Sequence, residues 1–138
     1  MQPKPVIVLI EDDADSRKNV CLLLELEGYV VRSAPDGVTG LQLLFEVPAP
    51  DLVLCDLMLP GLDGFGVLEA VRRNPALANL PFMLLTARTD RASQRKGMNL
   101  GADDFLTKPF SAKELLSAVA TRLRRRELVS TDKTIDPP

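Results

Sequence analysis

The chain of 138 residues carries 46% hydrophobic and 26% charged positions and a net charge of -2. These are the proportions of one domain large enough to bury a core, without the basic field that draws a protein onto nucleic acid or an anionic membrane. It contains no histidine, which excludes Ser-His-Asp and Cys-His nucleophile pairs and histidine-ligated zinc or iron within these residues; carboxylates, hydroxyls, lysine and a hard cation remain available for chemistry.

In chain order, the first apolar run is VIVLI at residues 6–10, stopped after five residues by EDD. That is too short for a signal-peptide core or a membrane span, so it reads as a buried strand of a cytoplasmic protein. Val20, Leu23, Leu24 and Glu27 follow with the i, i+3, i+4 rhythm of an amphipathic helix that Gly28 can terminate. YVVRS (29–33) is the second strand, and Val38, Leu41, Leu44 and Phe45 repeat the helical rhythm. LVLC (52–55) is the third strand, followed by a helix over Val67, Leu68 and Val71 that Pro75 closes. FMLL (82–85) is the fourth strand. The fourth helix, TDRASQRKGMNLG (89–101), has few apolar anchors beyond Ala92, Met98 and Leu100 and carries Gly97 in its interior, so low local stability is expected.

DFLT (104–107) is the fifth strand. The last helix opens on SAKE, with Ser111 and Glu114 at capping-box spacing, and continues through Leu115, Leu116, Val119 and Leu123. Its RLRRRE run (122–127) reads as a solvated end complementing the helix dipole rather than a nucleic-acid patch. Beyond it LVSTDKTIDPP loses periodicity, giving a domain over 1–126 and a linker or tail over 127–138. Cys21 and Cys55 lie in apolar patterns without CxxC spacing, as small reduced core residues do.

Strand runs that are continuously apolar imply burial on both faces, the mark of a parallel sheet covered by helices. The expected fold is therefore α/β, a five-stranded doubly wound sheet of the flavodoxin-like kind, whose ligands sit outside the carboxyl ends of the strands. At those ends the sequence sets Asp12 and Asp13 after the first strand, Asp56 after the third, Thr86 after the fourth and Lys108 after the fifth. First and third strands are neighbours in this strand order, so Asp12, Asp13 and Asp56 are expected to converge. Each pair of carboxylates about 4 Å apart repels by roughly 4 kcal/mol at an effective dielectric of about 20. An oxygen-only cluster with open positions suits Mg²⁺, and Lys108 and Thr86 beside it suit phosphoryl transfer to Asp56. For Asp12 and Asp13 the plainer alternative is a capped helix start. Glu11 is expected to point away or to assist.

Taken in order, LIEDD, DLMLPGLDG, LTA and GADDFLTKPF over about residues 5 to 126 resemble the receiver domains of bacterial two-component response regulators. The resemblance implies that Asp12 and Asp13 help bind Mg²⁺, with the backbone carbonyl of Met58 as a further ligand, and that Asp56 is the phosphoacceptor. Thr86 and Lys108 would contact the phosphoryl group, and Phe105 would occupy the switch-aromatic position, more often tyrosine. Lys108–Pro109 resembles the family's cis peptide. The partners implied are a sensor histidine kinase or phosphotransfer protein and a downstream output domain or protein. A homodimer through the fourth helix, fifth strand and last helix is a candidate, and neither nucleic acid nor membrane is contacted directly. In this reading the domain catalyses only its own phosphorylation and dephosphorylation. Two rivals are a pseudo-receiver serving only as an interaction module and a haloacid-dehalogenase-type phosphatase. The phosphatase family wants an aspartate two residues after the nucleophile, where this chain has Met58.

Overall fold

The computed structural model describes residues 3–87 and 90–135, the side chains of 127–135 excepted. Five strands alternate with five helices: β1 (Val6–Ile10), α1 (Ala14–Leu26), β2 (Val30–Ala34), α2 (Gly37–Leu43), β3 (Leu52–Asp56), α3 (Gly64–Arg73), β4 (Phe82–Thr86), α4 (Arg91–Leu100), β5 (Asp104–Thr107) and α5 (Ala112–Ile135). The strands are parallel in the order β2-β1-β3-β4-β5, as the apolar patterning predicts. Side-chain alternation sends Val8, Ile10, Val53, Cys55, Phe82 and Leu84 into a core beneath α2, α3 and α4. Ile7, Leu9, Leu52, Leu54, Met83 and Leu85 enter a second core beneath α1 and α5. Two cores on one sheet explain why the central strands carry no polar alternation.

Local signals act where they were expected. Ser111 and Glu114 form a reciprocal capping box, the Glu114 amide donating to Ser111 Oγ at 3.0 Å and the Ser111 amide to Glu114 Oε1 at 3.2 Å. Gly28 follows α1 at φ +95°, a conformation that glycine adopts without steric cost. Lys108–Pro109 is cis, as is Val47–Pro48.

Two elements differ from expectation. Val38 in α2 and Phe45 just after it are 58% and 59% exposed, and within the helix it is Gly37 and Gly40 that are buried against the sheet. A Cβ on Gly40 would sit 2.4 Å from Ile10 Cδ1, so the helix docks on its backbone there, while Leu41 and Leu44 of the expected apolar set do reach the core. α5 continues to Ile135, past the point where apolar periodicity ends, because helical backbone needs no apolar face to persist once nucleated. Thr89, expected to open the fourth helix, and the last three residues of the expected tail, 136–138, lie outside the described residues, as do the side chains of 127–135.

Arg72 on α3 ties the lower edge together. Its guanidinium donates to Gly101 O at 2.7 and 2.9 Å, to Leu80 O at 2.6 Å and to Ala78 O at 3.2 Å, and pairs with Asp103 at 3.0 Å. Removing it leaves half-buried carbonyls and a carboxylate without their donor. Arg72→Met is therefore expected to cost about 2–4 kcal/mol in urea unfolding with an unchanged slope, whereas Arg73→Met, whose pair with Glu69 is exposed, should cost less than about 0.5 kcal/mol.

Candidate functional site

The sheet register brings the carboxyl ends level. Ile10 pairs with Cys55, Asp56 with Leu85, and Thr86 with Thr107. The ladder runs on past the strand ends, with the Glu11 amide donating to Ala34 O (3.0 Å), Leu57 to Leu85 O (2.9 Å) and Lys108 to Thr86 O (2.8 Å). Residues at these positions are held by sheet hydrogen bonds rather than by loose loop. Gly64 presses the returning β3–α3 turn against the end of β3, since a Cβ there would lie 2.7 Å from Asp56 O and from Leu57 Cα, and its amide donates to Leu57 O at 3.0 Å.

Asp56 is 7% exposed and shares a lysine with a second buried carboxylate, Glu11, at 2%. Lys108 Nζ lies 2.5 Å from Glu11 Oε1 and 3.1 Å from Asp56 Oδ2, while Asp56 Oδ1 accepts from the Met58 amide at 3.2 Å. One carboxylate oxygen from each of Glu11, Asp12 and Asp56 falls within 4.8 Å of the others.

The acidic group therefore differs by one residue from the expected Asp12, Asp13 and Asp56. Asp13 is the N-cap of α1, its Oδ1 accepting from the Asp15 amide at 3.3 Å and its Oδ2 from the Ser16 hydroxyl at 2.9 Å. The capped helix start is thus the role of Asp13 alone. Glu11, expected to point away or assist, turns inward instead. The signal was present in the register: with Ile10 opposite Cys55, the residue level with Asp56 is Glu11, and Asp13 with Ser16 three residues on has the spacing of a helix cap.

Of the other residues singled out, Thr86 is buried at the end of β4. Met58 is exposed at its side chain. Phe105 lies in β5 opposite Leu84 and packs against the core beneath α2, α3 and α4. By strand alternation Leu84, Thr86 and Phe105 belong to one face of the sheet.

Burial is the main reason that the Glu11 carboxyl is raised from 4.5 to about 7; its hydrogen bond and charge interaction with Asp56 add to this, and Lys108 opposes it. For Lys108 burial works against the charge, but hydrogen bonds to Glu11 and Asp56 outweigh it and the ammonium is held above its usual range. A carboxyl raised by folding binds protons that the unfolded chain has already released. Its stabilising contribution is complete below about pH 4.5 and lost as pH climbs through about 7. Thermal melts in EDTA should therefore show wild-type stability falling between about pH 5 and 7.5, with Glu11→Gln flatter over that window.

These features define a class: a flavodoxin-like α/β domain carrying an acidic, lysine-balanced oxygen site at the carboxyl edge of its sheet. The chain belongs to the response regulator receiver domain family, whose model matches residues 7–120. It is 41% identical over 125 residues to the DNA-binding dual master transcriptional regulator RpaA of Synechocystis, covering 91% of this chain and 52% of that protein. It is 36% identical over 130 residues to the phosphate regulon transcriptional regulatory protein PhoB of Escherichia coli, covering 94% and 56%. The chain thus spans about half the length of the curated relatives it matches. Among solved structures, a response regulator receiver domain protein from Clostridium thermocellum superposes with a TM-score of 0.83 at 27% identity, covering 91% of this chain and 98% of that one. The chemotaxis protein CheY4 of Vibrio cholerae superposes at 0.82 and 27% identity, covering 86% and 98%. Receiver domains are phosphorylation-dependent switches of two-component signalling, and nothing in these similarities supports a haloacid-dehalogenase-type phosphatase or an interaction-only module.

Proposed function

We propose that Asp56 is the phosphoacceptor of this receiver domain. The observation that carries the reading is the position of its carboxylate. Oδ2 is paired with Lys108, Oδ1 is fixed by the Met58 amide, and Glu11 and Asp12 each bring an oxygen into the same 4.8 Å group. Oxygen-only donors, two of them buried and sharing a single lysine, fit Mg²⁺. Glu11, Asp12 and Asp56 would hold it together with the backbone carbonyl of Met58, while Asp13 is committed to its helix cap. When bound, the cation supplies charge neutralisation for the phosphoryl oxygens.

The chain's own residues do the rest. An Asp56 oxygen attacks phosphorus in line, forming an O–P bond as the bond from phosphorus to the donor breaks and its electron pair leaves with the donor. Lys108 meets the negative charge gathering on the phosphoryl oxygens, and the Thr86 hydroxyl donates to one of them. These residues hold no histidine, so a phosphohistidine donor comes from a partner kinase or phosphotransfer protein. A cleft of about 520 Å³ opens beside the site, between Asn19 and Leu23 of α1 and Lys108 and Phe110 of the β5–α5 turn, and gives such a donor an approach. The output is a downstream domain or protein, and a homodimer through α4, β5 and α5 belongs to the same reading. So do a cytoplasmic location and signalling rather than metabolite turnover.

The test is intact mass after incubation with acetyl phosphate. Wild type should gain one phosphoryl group in Mg²⁺ and none in EDTA, and Asp56→Ala should gain none in either. A protein that binds Mg²⁺ yet forms neither this adduct nor a beryllofluoride complex would be a contact module instead.

A further inference from the structure

The sequence marks Gly97 only as a weak point in α4, but the structure gives it a specific neighbour. A Cβ at position 97 would lie 2.3 Å from Phe105 Cζ, 2.9 Å from Phe105 Cε2 and 3.1 Å from Leu84 Cδ1. Gly97 is buried, and the Phe105 ring occupies the space that its missing side chain leaves. The contact is between a helix backbone and the tip of a rigid ring that moves only by rotating about χ1 and χ2, so no small adjustment makes room for a methyl group.

We propose that Gly97 is the positioning residue that admits the Phe105 ring beneath α4, and so sets the shape of the face formed by α4, β5 and α5. Two features make this position decisive. Phenylalanine has no hydroxyl, so no hydrogen bond holds the ring in or draws it out, and packing alone decides where it rests. The helix around Gly97 also has few other anchors. Among its described residues only Ser93 and Gly97 are buried, with Leu100 partly so, so the ring supplies much of what fastens α4 to the sheet. Any side chain at 97 drives the ring outwards and lifts that face. The steric part stands independently of phosphorylation; its signalling consequence rests on the phosphoacceptor reading above.

A double-mutant cycle tests it. Alanine is the better helix former, so in a Phe105→Ala background Gly97→Ala should raise the melting temperature by about 3 °C. In wild type the same change should lower it. Phe105→Leu, which also lacks the ring-tip atoms, serves as the background if Phe105→Ala does not fold. With carbon-13-labelled phenylalanine, the Phe105 resonance should be broadened more strongly by a soluble gadolinium chelate in Gly97→Ala than in wild type, where the ring is partly buried. An equal rise of melting temperature in both backgrounds, or a ring equally shielded in both proteins, overturns the proposal.

The signalling arm uses acetyl phosphate with Mg²⁺. The Phe105 resonance should move on phosphorylation in wild type but not in Gly97→Ala, although both gain the phosphoryl group. If neither protein gains it, the phosphoacceptor reading fails and the cycle alone decides the role of Gly97.

Discussion

Lys108→Ala is expected to slow phosphoryl transfer from acetyl phosphate by about 100-fold or more and to destabilise the metal-free domain by roughly 3 kcal/mol. Both effects come from one ammonium. Lys108 Nζ is the cation that the structure sets against Glu11 and Asp56, at 2.5 and 3.1 Å, and those carboxylates are nearly inaccessible to solvent. Taking away one partner of a buried ion cluster costs far more than the cluster's net worth, because the remaining charges stay desolvated. The kinetic loss has a different origin: the charge that builds on the phosphoryl oxygens forms only in the transition state, so the lysine acts on rate more than on binding.

The two effects separate in the double variant. Glu11→Gln removes a carboxylate that then lacks its cation, so Lys108→Ala/Glu11→Gln should recover at least half of the lost stability in urea unfolding and none of the lost rate. Additive stability losses would mean that Glu11 and Lys108 do not act as a pair, contrary to their geometry.

How much of this could be read beforehand depended on how far each signal reached along the chain. Strand runs such as LVLC and FMLL announce two-sided burial by themselves, and the parallel sheet follows from them. Asp56 and Thr86 end their strands and Lys108 directly follows its own, and a strand end is legible from where its apolar run stops. The acidic pair was harder to place, because EDD offers three adjacent carboxyls and a shift of one residue turns a side chain from the sheet edge to solvent. Only the pairing of β1 with β3 shows that Glu11 stands level with Asp56 and that Asp13 is spent on capping α1. The second helix was half legible: Leu41 and Leu44 reach the core as their spacing suggests, but Val38 and Phe45 do not, because Gly37 and Gly40 let the backbone itself approach Ile10 and Leu62, an interaction with no hydrophobic signature. The contact of Gly97 with Phe105 is of the same kind, a missing side chain in one element filled by a ring from another.

Asp56→Asn should melt higher than wild type in EDTA, by about 3–6 °C, and lose most of the further rise that Mg²⁺ gives wild type. The substitution keeps the oxygen that accepts from the Met58 amide, so the β3–α3 turn retains its anchor. It removes one of three carboxylates gathered within 4.8 Å, and one lysine cannot balance them all. Lys108 still keeps Glu11 at 2.5 Å, so no buried ammonium is stranded. The same change acts on Glu11. Its hydrogen bond and charge interaction with Asp56 help raise its carboxyl, so in Asp56→Asn that carboxyl should titrate closer to its ordinary range and the fall in stability between about pH 5 and 7.5 should shrink. Melting curves over pH, with and without Mg²⁺, measure all three effects on one protein. An Asp56→Asn variant less stable than wild type in EDTA would mean that the Asp56–Lys108 pair outweighs the repulsion, making the acidic cluster a structural ion pair first and a cation site second.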